Sequence, residues 1–363
     1  MIWDFLIDRL LEEQHPEVEH EKCIYKITNG KNCSTCRDNC PMDAISLYNK
    51  GVSIDEKLCE DCGICKTMCP SQAINFKGLG ELDLVSSIKG KKNIVIGCSK
   101  KDVNCNLKLS CLNAFHPELL AALFIDNIQE KFYFNLTMCD GCSLGEKNHL
   151  FRESLEKAVS FLEALGMKPK YELNLNEWEL RELTDEIYSR RDLFLNLKKN
   201  TSNLAYNAID SVVGENKGLN VRLELINAIK KNNIQLNNLN GNIFFNNYEV
   251  DNNCNACKKC EDICPVKAWN IEEDEDKILL YHNGSNCLNC KLCVDICPSK
   301  SIKSNENIPV KNLEHNIKKE LNIRTCPDCG DKYIFYHNDK VKCDICNKKE
   351  ELRKKIRNMD KNI

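Results

Sequence analysis

The chain has 363 residues, room for two to four domains, with 42% apolar residues and a net charge of −3 spread over interspersed acids and bases. This balance gives no general case for nucleic acid or a membrane surface, and no run approaches the roughly 18 apolar residues of a membrane helix. Cysteine is the outlier at 25 copies, and the first residues carry Asp4, Asp8 and Arg9 inside an apolar run, unlike a signal peptide. An odd count in a long chain of this kind predicts metal-binding thiols in a reducing, cytoplasmic setting rather than disulfides.

The cysteines fall into four groups: eight in 23–69, five in 98–142, eight in 254–297 and four in 326–346. In segment 1–20, Trp3, Leu6, Ile7, Leu10 and Leu11 recur at helical spacing, predicting an amphipathic helix over 2–13 that packs on a neighbour or docks a partner. Segment 21–80 reads Cys23-x9-Cys33-x2-Cys36-x3-Cys40-Pro41, then Cys59-x2-Cys62-x2-Cys65-x3-Cys69-Pro70. The nine-residue interval is read as an insertion looping out, helped by the turn dipeptide Asn29-Gly30.

Segment 90–175 alternates strands and helices. Strands are expected at Asn93–Gly97, Phe132–Leu136 and Tyr171–Leu175, with helices at Pro117–Ile125 and Lys147–Leu165, the second ending at Gly166. The pattern predicts a small α/β domain with a parallel sheet. Parallel strands bring their carboxyl ends to one edge, where ligands gather in open α/β sheets. That edge would unite Cys98 with Cys139 and Cys142, together with Cys111 before the intervening helix and Cys105 as a spare. Iron–sulfur, zinc and unliganded thiols all remain open for this group. Segment 176–250 reads as a helical and Asn-rich linker, with helices at Trp178–Lys198 and Asn220–Lys231 and one strand at Ile243–Phe245.

Segment 251–305 holds Cys254-x2-Cys257-x2-Cys260-x3-Cys264-Pro265, then Cys287-x2-Cys290-x2-Cys293-x3-Cys297-Pro298. Three thiolates in a C-x2-C-x2-C run can curl around one cubane, while the fourth cysteine points away to the other cluster. The expected sets are Cys254, Cys257, Cys260 with Cys297, and Cys287, Cys290, Cys293 with Cys264; structural zinc is the alternative. Residues 254–302 resemble bacterial-type two-cluster ferredoxins. The resemblance implies a pseudo-twofold fold of two hairpins and two short helices around two [4Fe–4S] clusters. Carried to the first module, it gives Cys23, Cys33, Cys36 with Cys69, and Cys59, Cys62, Cys65 with Cys40. Should Cys23 not ligate, that site holds a three-iron cluster or takes another ligand. The central cysteine placement resembles the small domain of methyl-viologen-reducing hydrogenase delta subunits, which implies an additional iron–sulfur cluster passing electrons to a partner.

Segment 322–350 holds Cys326-Pro-Asp-Cys329-Gly330 and Cys343-Asp-Ile-Cys346, a four-thiolate pattern for a zinc ribbon with a hairpin of Tyr333–His337 and Asp339–Lys342 between its knuckles. Rubredoxin-like iron is the competitor, but the second knuckle lacks the expected Pro and Gly.

The fold expected is therefore α+β and multidomain: two ferredoxin-like modules, a central α/β domain and a zinc ribbon. No cysteine run has the C-x3-C-x2-C spacing of radical SAM enzymes, since Asp43 holds the required position after Cys36-x3-Cys40. No dinucleotide fingerprint or phosphate loop is present, His116 reads as a helix-start residue, and no catalytic residue is assigned. The expected function is single-electron relay through four [4Fe–4S] clusters, as a carrier or subunit of an anaerobic oxidoreductase, with donor and acceptor proteins as partners. One alternative is a redox enzyme using the central site. Another is a redox-sensing regulator contacting nucleic acid through the ribbon and the tail from Pro309, which carries 14 Lys/Arg against 9 Asp/Glu.

Overall fold

Four Cys-Pro phrases make the same turn in the computed structural model, which describes residues 15–49, 51–75, 93–101, 103–145, 149–173, 175–184, 221–236, 244–245, 247–305, 315–335 and 341–359. The fourth residue of each phrase is left-handed: Asp43, Gln72, Lys267 and Lys300 have φ of 50°, 51°, 50° and 51°. Proline removes an N–H the turn could not use. The left-handed residue then aims the next N–H backwards. Ala73, Ala268 and Ser301 donate to the Sγ of Cys69, Cys264 and Cys297 at 3.2, 3.1 and 3.3 Å.

The structure is mixed α/β with several small sheets, and divides into units 1–244 and 245–363. The first unit opens with β1 (Glu17–Val18), α1 (Ile24–Ile27), α2 (Thr35–Asp38), β2 (Ile45–Tyr48), β3 (Gly51–Ile54), α3 (Ile64–Met68) and β4 (Ile74–Asn75). β2 and β3 form an antiparallel hairpin, and β1 closes the module by pairing antiparallel with β4. The module thus starts at β1, ahead of the boundary expected at residue 21. The amphipathic helix predicted over 2–13 lies outside the described residues. The interval between Cys23 and Cys33 does not simply loop out. It makes the single turn α1, then returns through left-handed Asn29, Gly30 and Asn32.

The central domain follows with β5 (Asn93–Cys98), β6 (Leu107–Leu109), α4 (Pro117–Asp126), β7 (Lys131–Phe134), α5 (His149–Ala164), β8 (Lys170–Glu172), α6 (Glu177–Thr184) and α7 (Val221–Lys231). Its sheet is fully parallel in the order β6-β5-β7-β8. β5 is an apolar run with Ile94, Val95 and Ile96 wholly buried, as a strand covered on both faces requires. α4 is apolar almost all round because the sheet lies on one side and α5 and α7 on the other. Phe124 meets Phe132 edge to face at 4.7 Å and 79°, and burying each such ring contributes roughly 1.5–3 kcal/mol. α5 buries Phe151, Leu155, Ala158 and Leu162 at helical spacing and ends as expected at Gly166 (φ 75°). There the N–H of Met167 reaches back to the Leu162 carbonyl at 2.9 Å, closing a Schellman motif.

The expected linker is only partly one. Its α7 packs on α4, and Arg222 forms a buried pair with Glu118 at 2.8 Å while also donating to the Phe244 carbonyl at 2.7 Å. The strand expected at Ile243–Phe245 is absent at the described Phe244 and Phe245. The helix expected over Trp178–Lys198 is described as α6 and beyond Thr184 lies outside the described residues.

The second unit runs β9 (Asn247–Val250), α8 (Lys259–Ile263), β10 (Trp269–Glu273), β11 (Lys277–Asn283), α9 (Leu292–Ile296), β12 (Ile302–Asn305), β13 (His315–Thr325), β14 (Lys332–Phe335) and α10 (Asp344–Met359). β9 pairs antiparallel with β12, repeating the closure of the first module. The hairpin β10–β11 is extended by β13 and then β14 into one antiparallel sheet. The register between β11 and β13 shifts at Leu280/Tyr281, a bulge that leaves Lys318 opposite no residue of β11. Leu280, Leu321 and Ile323 join the ferredoxin-side core, and the Arg324 guanidinium lies 3.7 Å from the centre of the Phe335 ring. Of the ribbon hairpin expected at Tyr333–His337 and Asp339–Lys342, residues 336–340 lie outside the described residues, and the rest departs from the expectation. β14 pairs instead with β13, the first knuckle forms their turn, and Val341 and Lys342 are not in a strand.

Candidate metal centres

In the first module two sets of thiols surround two cavities. Cys23, Cys33, Cys36 and Cys69 line one of about 350 Å³ with Val18, Leu47 and Ile74. Cys40, Cys59, Cys62 and Cys65 line another of about 350 Å³ with Ile45, Ile54 and Ile64. The fold brings Cys23 together with Cys33, Cys36 and Cys69, and Cys40 with Cys59, Cys62 and Cys65, the groupings that the ferredoxin resemblance implies. α1 begins directly after Cys23, which is buried and lines its cavity.

The second unit repeats the crossing. Cys254 has Cys297 and Cys257 as charged neighbours, and Cys260 has Cys254 and Cys257. Cys290 has Cys264, while Cys293 has Cys287, Cys290 and Cys264. The geometry that allows three sulfurs to face one point is again left-handed backbone: Ala256 and Lys258 in one run, Asn289 and Lys291 in the other, as Asp61 and Gly63 in the first module.

Burial raises most of these thiols. Cys36, Cys260 and Cys293 are pushed up to about 12, chiefly by desolvation and then, apart from the Trp269 hydrogen bond that lowers Cys293, by the neighbouring sulfurs. Without a cation such sites keep their protons, so iron must displace them. At Cys297 burial also acts upward, yet hydrogen bonds from Ser299, Ser301 and Ile302 outweigh it and lower the group. Donor sets made solely of soft thiols, backed by N–H groups aimed at sulfur, fit iron–sulfur clusters.

One neighbour escaped the sequence reading. His15 Nδ1 lies 3.1 Å from Asp61 Oδ1, which accepts from Cys59 Sγ at 3.4 Å. Burial and then the Asp61 charge push Cys59 up to about 11, against a lowering hydrogen bond from the Asp61 backbone.

In the central domain Cys98, Cys111, Cys139 and Cys142 line one cavity of about 430 Å³, with Met138 and Lys101 at its wall. Cys98 ends β5, Cys111 follows β6 and the Cys139–Cys142 turn follows β7, so the carboxyl edge of the sheet gathers them. Cys105 is elsewhere. It packs with Val95, Tyr133 and Leu180, and its Sγ would lie 2.8 Å from any Cβ added at Gly97.

Two buried asparagines, not apparent in the sequence, clamp this edge. Asn113 donates to the Leu144 carbonyl at 3.2 Å and accepts from the Phe151 N–H at 3.1 Å, fixing the loop after Cys142 to the start of α5. Asn135 donates to the Asn104 carbonyl at 2.9 Å and accepts from the Thr137 N–H at 3.1 Å, fixing the loop that leads to Cys139. No spacing rule marks them, because the carbonyls they donate to, Leu144 and Asn104, are distant in sequence.

The last group is tighter. All ligand atoms of Cys326, Cys329, Cys343 and Cys346 lie within 4.8 Å of one another, and Cys329 and Cys343 sulfurs are 3.7 Å apart. A tetrahedral ion with bonds of about 2.3 Å to sulfur needs S···S edges of roughly 3.8 Å. Backbone N–H groups of Cys343 and Cys346 point at Cys326 and Cys343 sulfurs at 3.5 and 3.4 Å, and hydrogen bonds lower Cys326 to about 6. Among the described residues this is the only four-thiol group so closely gathered.

Among the described residues no helix is long and apolar enough to cross a membrane. No curated protein and no solved structure matches the chain. Residues 253–301 match the 4Fe-4S dicluster domain family, and residues 52–75 match the 4Fe-4S binding domain family, the second spanning Cys59 to Cys69 but not the irregular half from Cys23 to Cys40. The chain therefore carries two ferredoxin-type iron–sulfur domains, and with them an electron-transfer role.

Proposed function

We propose that this chain relays single electrons through four [4Fe–4S] clusters, as a carrier or electron-transfer subunit of an anaerobic oxidoreductase. The observation that supports it most is the crossed arrangement of thiols, found in both modules, in which each Cys-Pro cysteine joins the three cysteines of the other half. Cys23, Cys33, Cys36 and Cys69 hold one cluster, and Cys40, Cys59, Cys62 and Cys65 the next. Cys254, Cys257, Cys260 and Cys297 hold the third, with Cys264, Cys287, Cys290 and Cys293 for the fourth. Bound there, the clusters supply one-electron redox chemistry. The protein's part is to keep the sites apolar and to aim N–H groups at the sulfurs, which makes reduction easier.

Cys98, Cys111, Cys139 and Cys142 hold a fifth iron–sulfur group, as in the hydrogenase delta subunits their placement resembles. Four thiols that line one cavity but are not gathered as tightly as the ribbon's favour it over a single zinc ion. Cys326, Cys329, Cys343 and Cys346 hold zinc, supported by their tetrahedral edge.

Metal and sulfide analysis of anaerobically purified protein, with an EPR redox titration, tests this reading. About 16 iron per chain is expected from the two modules, about 18 to 20 with the central site, and one zinc. Well under 16 iron would overturn the four-cluster relay, and two zinc would make the central site structural.

A further inference from the structure

The N-terminal module and the central domain meet at their thiols. α3, which carries Cys65 and begins two residues after Cys62, packs on the single 3-10 turn Leu112–Ala114 that begins just after Cys111. Thr67 Oγ1 donates to the Ala114 carbonyl across this contact. At its rim Lys100, two residues beyond Cys98, faces Glu60, the residue after Cys59, at 4.0 Å. Cys62 lies near enough to Cys111, and Lys100 to Cys62, for each pair to interact electrostatically.

From this we propose that the contact of α3 with the Leu112–Ala114 turn is an electron hand-off junction: Cys62 and Cys111 set two redox sites side by side, so that the site of Cys40, Cys59, Cys62 and Cys65 is the gateway to the central one. The inference rests on the central site holding an iron–sulfur group. In the step one electron leaves the reduced gateway site and one arrives at the oxidised central site; no covalent bond forms or breaks in the protein. The contact suits this role because it is short in chain terms. Each ligand lies within one turn of the packed elements, so the tie made by Thr67 and Ala114 holds the two sulfurs in a fixed relation. Ile64 and Leu112, which line the cavities of the two sites, are apolar and buried at 0% and 2% exposure.

The seam makes a specific arrangement of magnetic neighbours. The full chain is purified anaerobically as wild type, Cys111→Ser, Cys62→Ser and Cys33→Ser, reduced with dithionite and examined by EPR with iron counted in each. The wild-type central signal, identified by its loss in Cys111→Ser, is expected to be split by a neighbouring spin. Cys62→Ser should abolish that splitting and shift the central midpoint to a less negative potential, because an anionic neighbour has been removed. Cys33→Ser should leave the splitting in place. Unsplit central signal in wild type, or splitting lost in Cys33→Ser and kept in Cys62→Ser, would overturn the junction while the central cluster stands. Iron content unchanged by Cys111→Ser would instead overturn the central cluster itself, and the junction with it. If Cys62→Ser does not fold, the wild-type spectrum against Cys111→Ser still decides, since two non-interacting sets of signals exclude the junction.

Discussion

His116 precedes Pro117 at the start of α4, and its Nδ1 accepts the Glu118 N–H at 3.2 Å. Burial, with Arg222 nearby, lowers its pKa to about 3 from 6.5. An unfolded chain takes up a proton there as the pH falls through 6.5, and the folded chain does not until about 3. The unfolded state thus binds more protons in between, so stability is full above about 6.5 and declines below it. Urea denaturation of the first unit should weaken steadily from pH 7 to pH 4, and His116→Gln should flatten that slope. Beside it, the Glu118–Arg222 pair should behave as buried pairs do. Arg222→Met alone is expected to cost about 3–5 kcal/mol, whereas joining it with Glu118→Leu should bring stability back near wild type. Equal loss in the single and double variants would refute that. Cys23 is the other residue whose role can be isolated. Cys23→Ala should leave three ligands in its cavity and give the oxidised protein the EPR signal of a three-iron cluster, which the wild type should lack.

Among the elements, the Cys-Pro turns carry the sharpest backbone requirement. Lys300 at φ 51° and Gln72 at φ 51° pay the left-handed penalty so that Ser301 and Ala73 can donate to sulfur. Lys300→Gly should be neutral or slightly stabilising, while Lys300→Val should cost about 1–2 kcal/mol and lower the potential of the nearby site by weakening the N–H to Cys297. Thermal melts of the reconstituted protein and a redox titration would measure both. Elements differ in how far the chain announces them. The cysteine runs are local, so their spacing could be read without a fold. α5 could be read too, because Phe151, Leu155, Ala158 and Leu162 repeat at helical spacing and Gly166 ends it. β6 is three residues long and has no period to read. β13 escaped because Lys318, Lys319 and Glu320 break its apolar alternation at the bulge, and only pairing with β11 makes it a strand. Asn113 and Asn135 were silent for a similar reason: the carbonyls they donate to, Leu144 and Asn104, are remote in the chain.

Across the molecule, cysteine count and grouping set the number of centres, while the closing strands and shared sheets could not be inferred from composition. The sheet edge that gathers Cys98, Cys111, Cys139 and Cys142 was foreseeable from strand–helix alternation, because parallel strands have only one carboxyl edge. Cys105 was not resolvable, since which face it takes depends on Gly97 beneath it. The ribbon centre and the ferredoxin centres should separate by chelator. Anaerobic EDTA treatment is expected to remove the proposed zinc while leaving the iron–sulfur absorbance largely intact, and to loosen α10, which is tied to the knuckles rather than to a core of its own. Hydrogen exchange followed by mass spectrometry would locate the loosening. Simultaneous loss of iron would show that the centres do not separate.

The joining of β13 to β11 has a practical corollary for anyone dividing this protein. A fragment ended after β12 would keep every cysteine of the second module, yet it would lay bare one whole side of β11, with its N–H and C=O groups unpaired and Ile278 no longer faced by Leu321. Open strand edges of that kind recruit other chains. Such a fragment is therefore expected to self-associate, whereas one extended through β14 should remain dispersed.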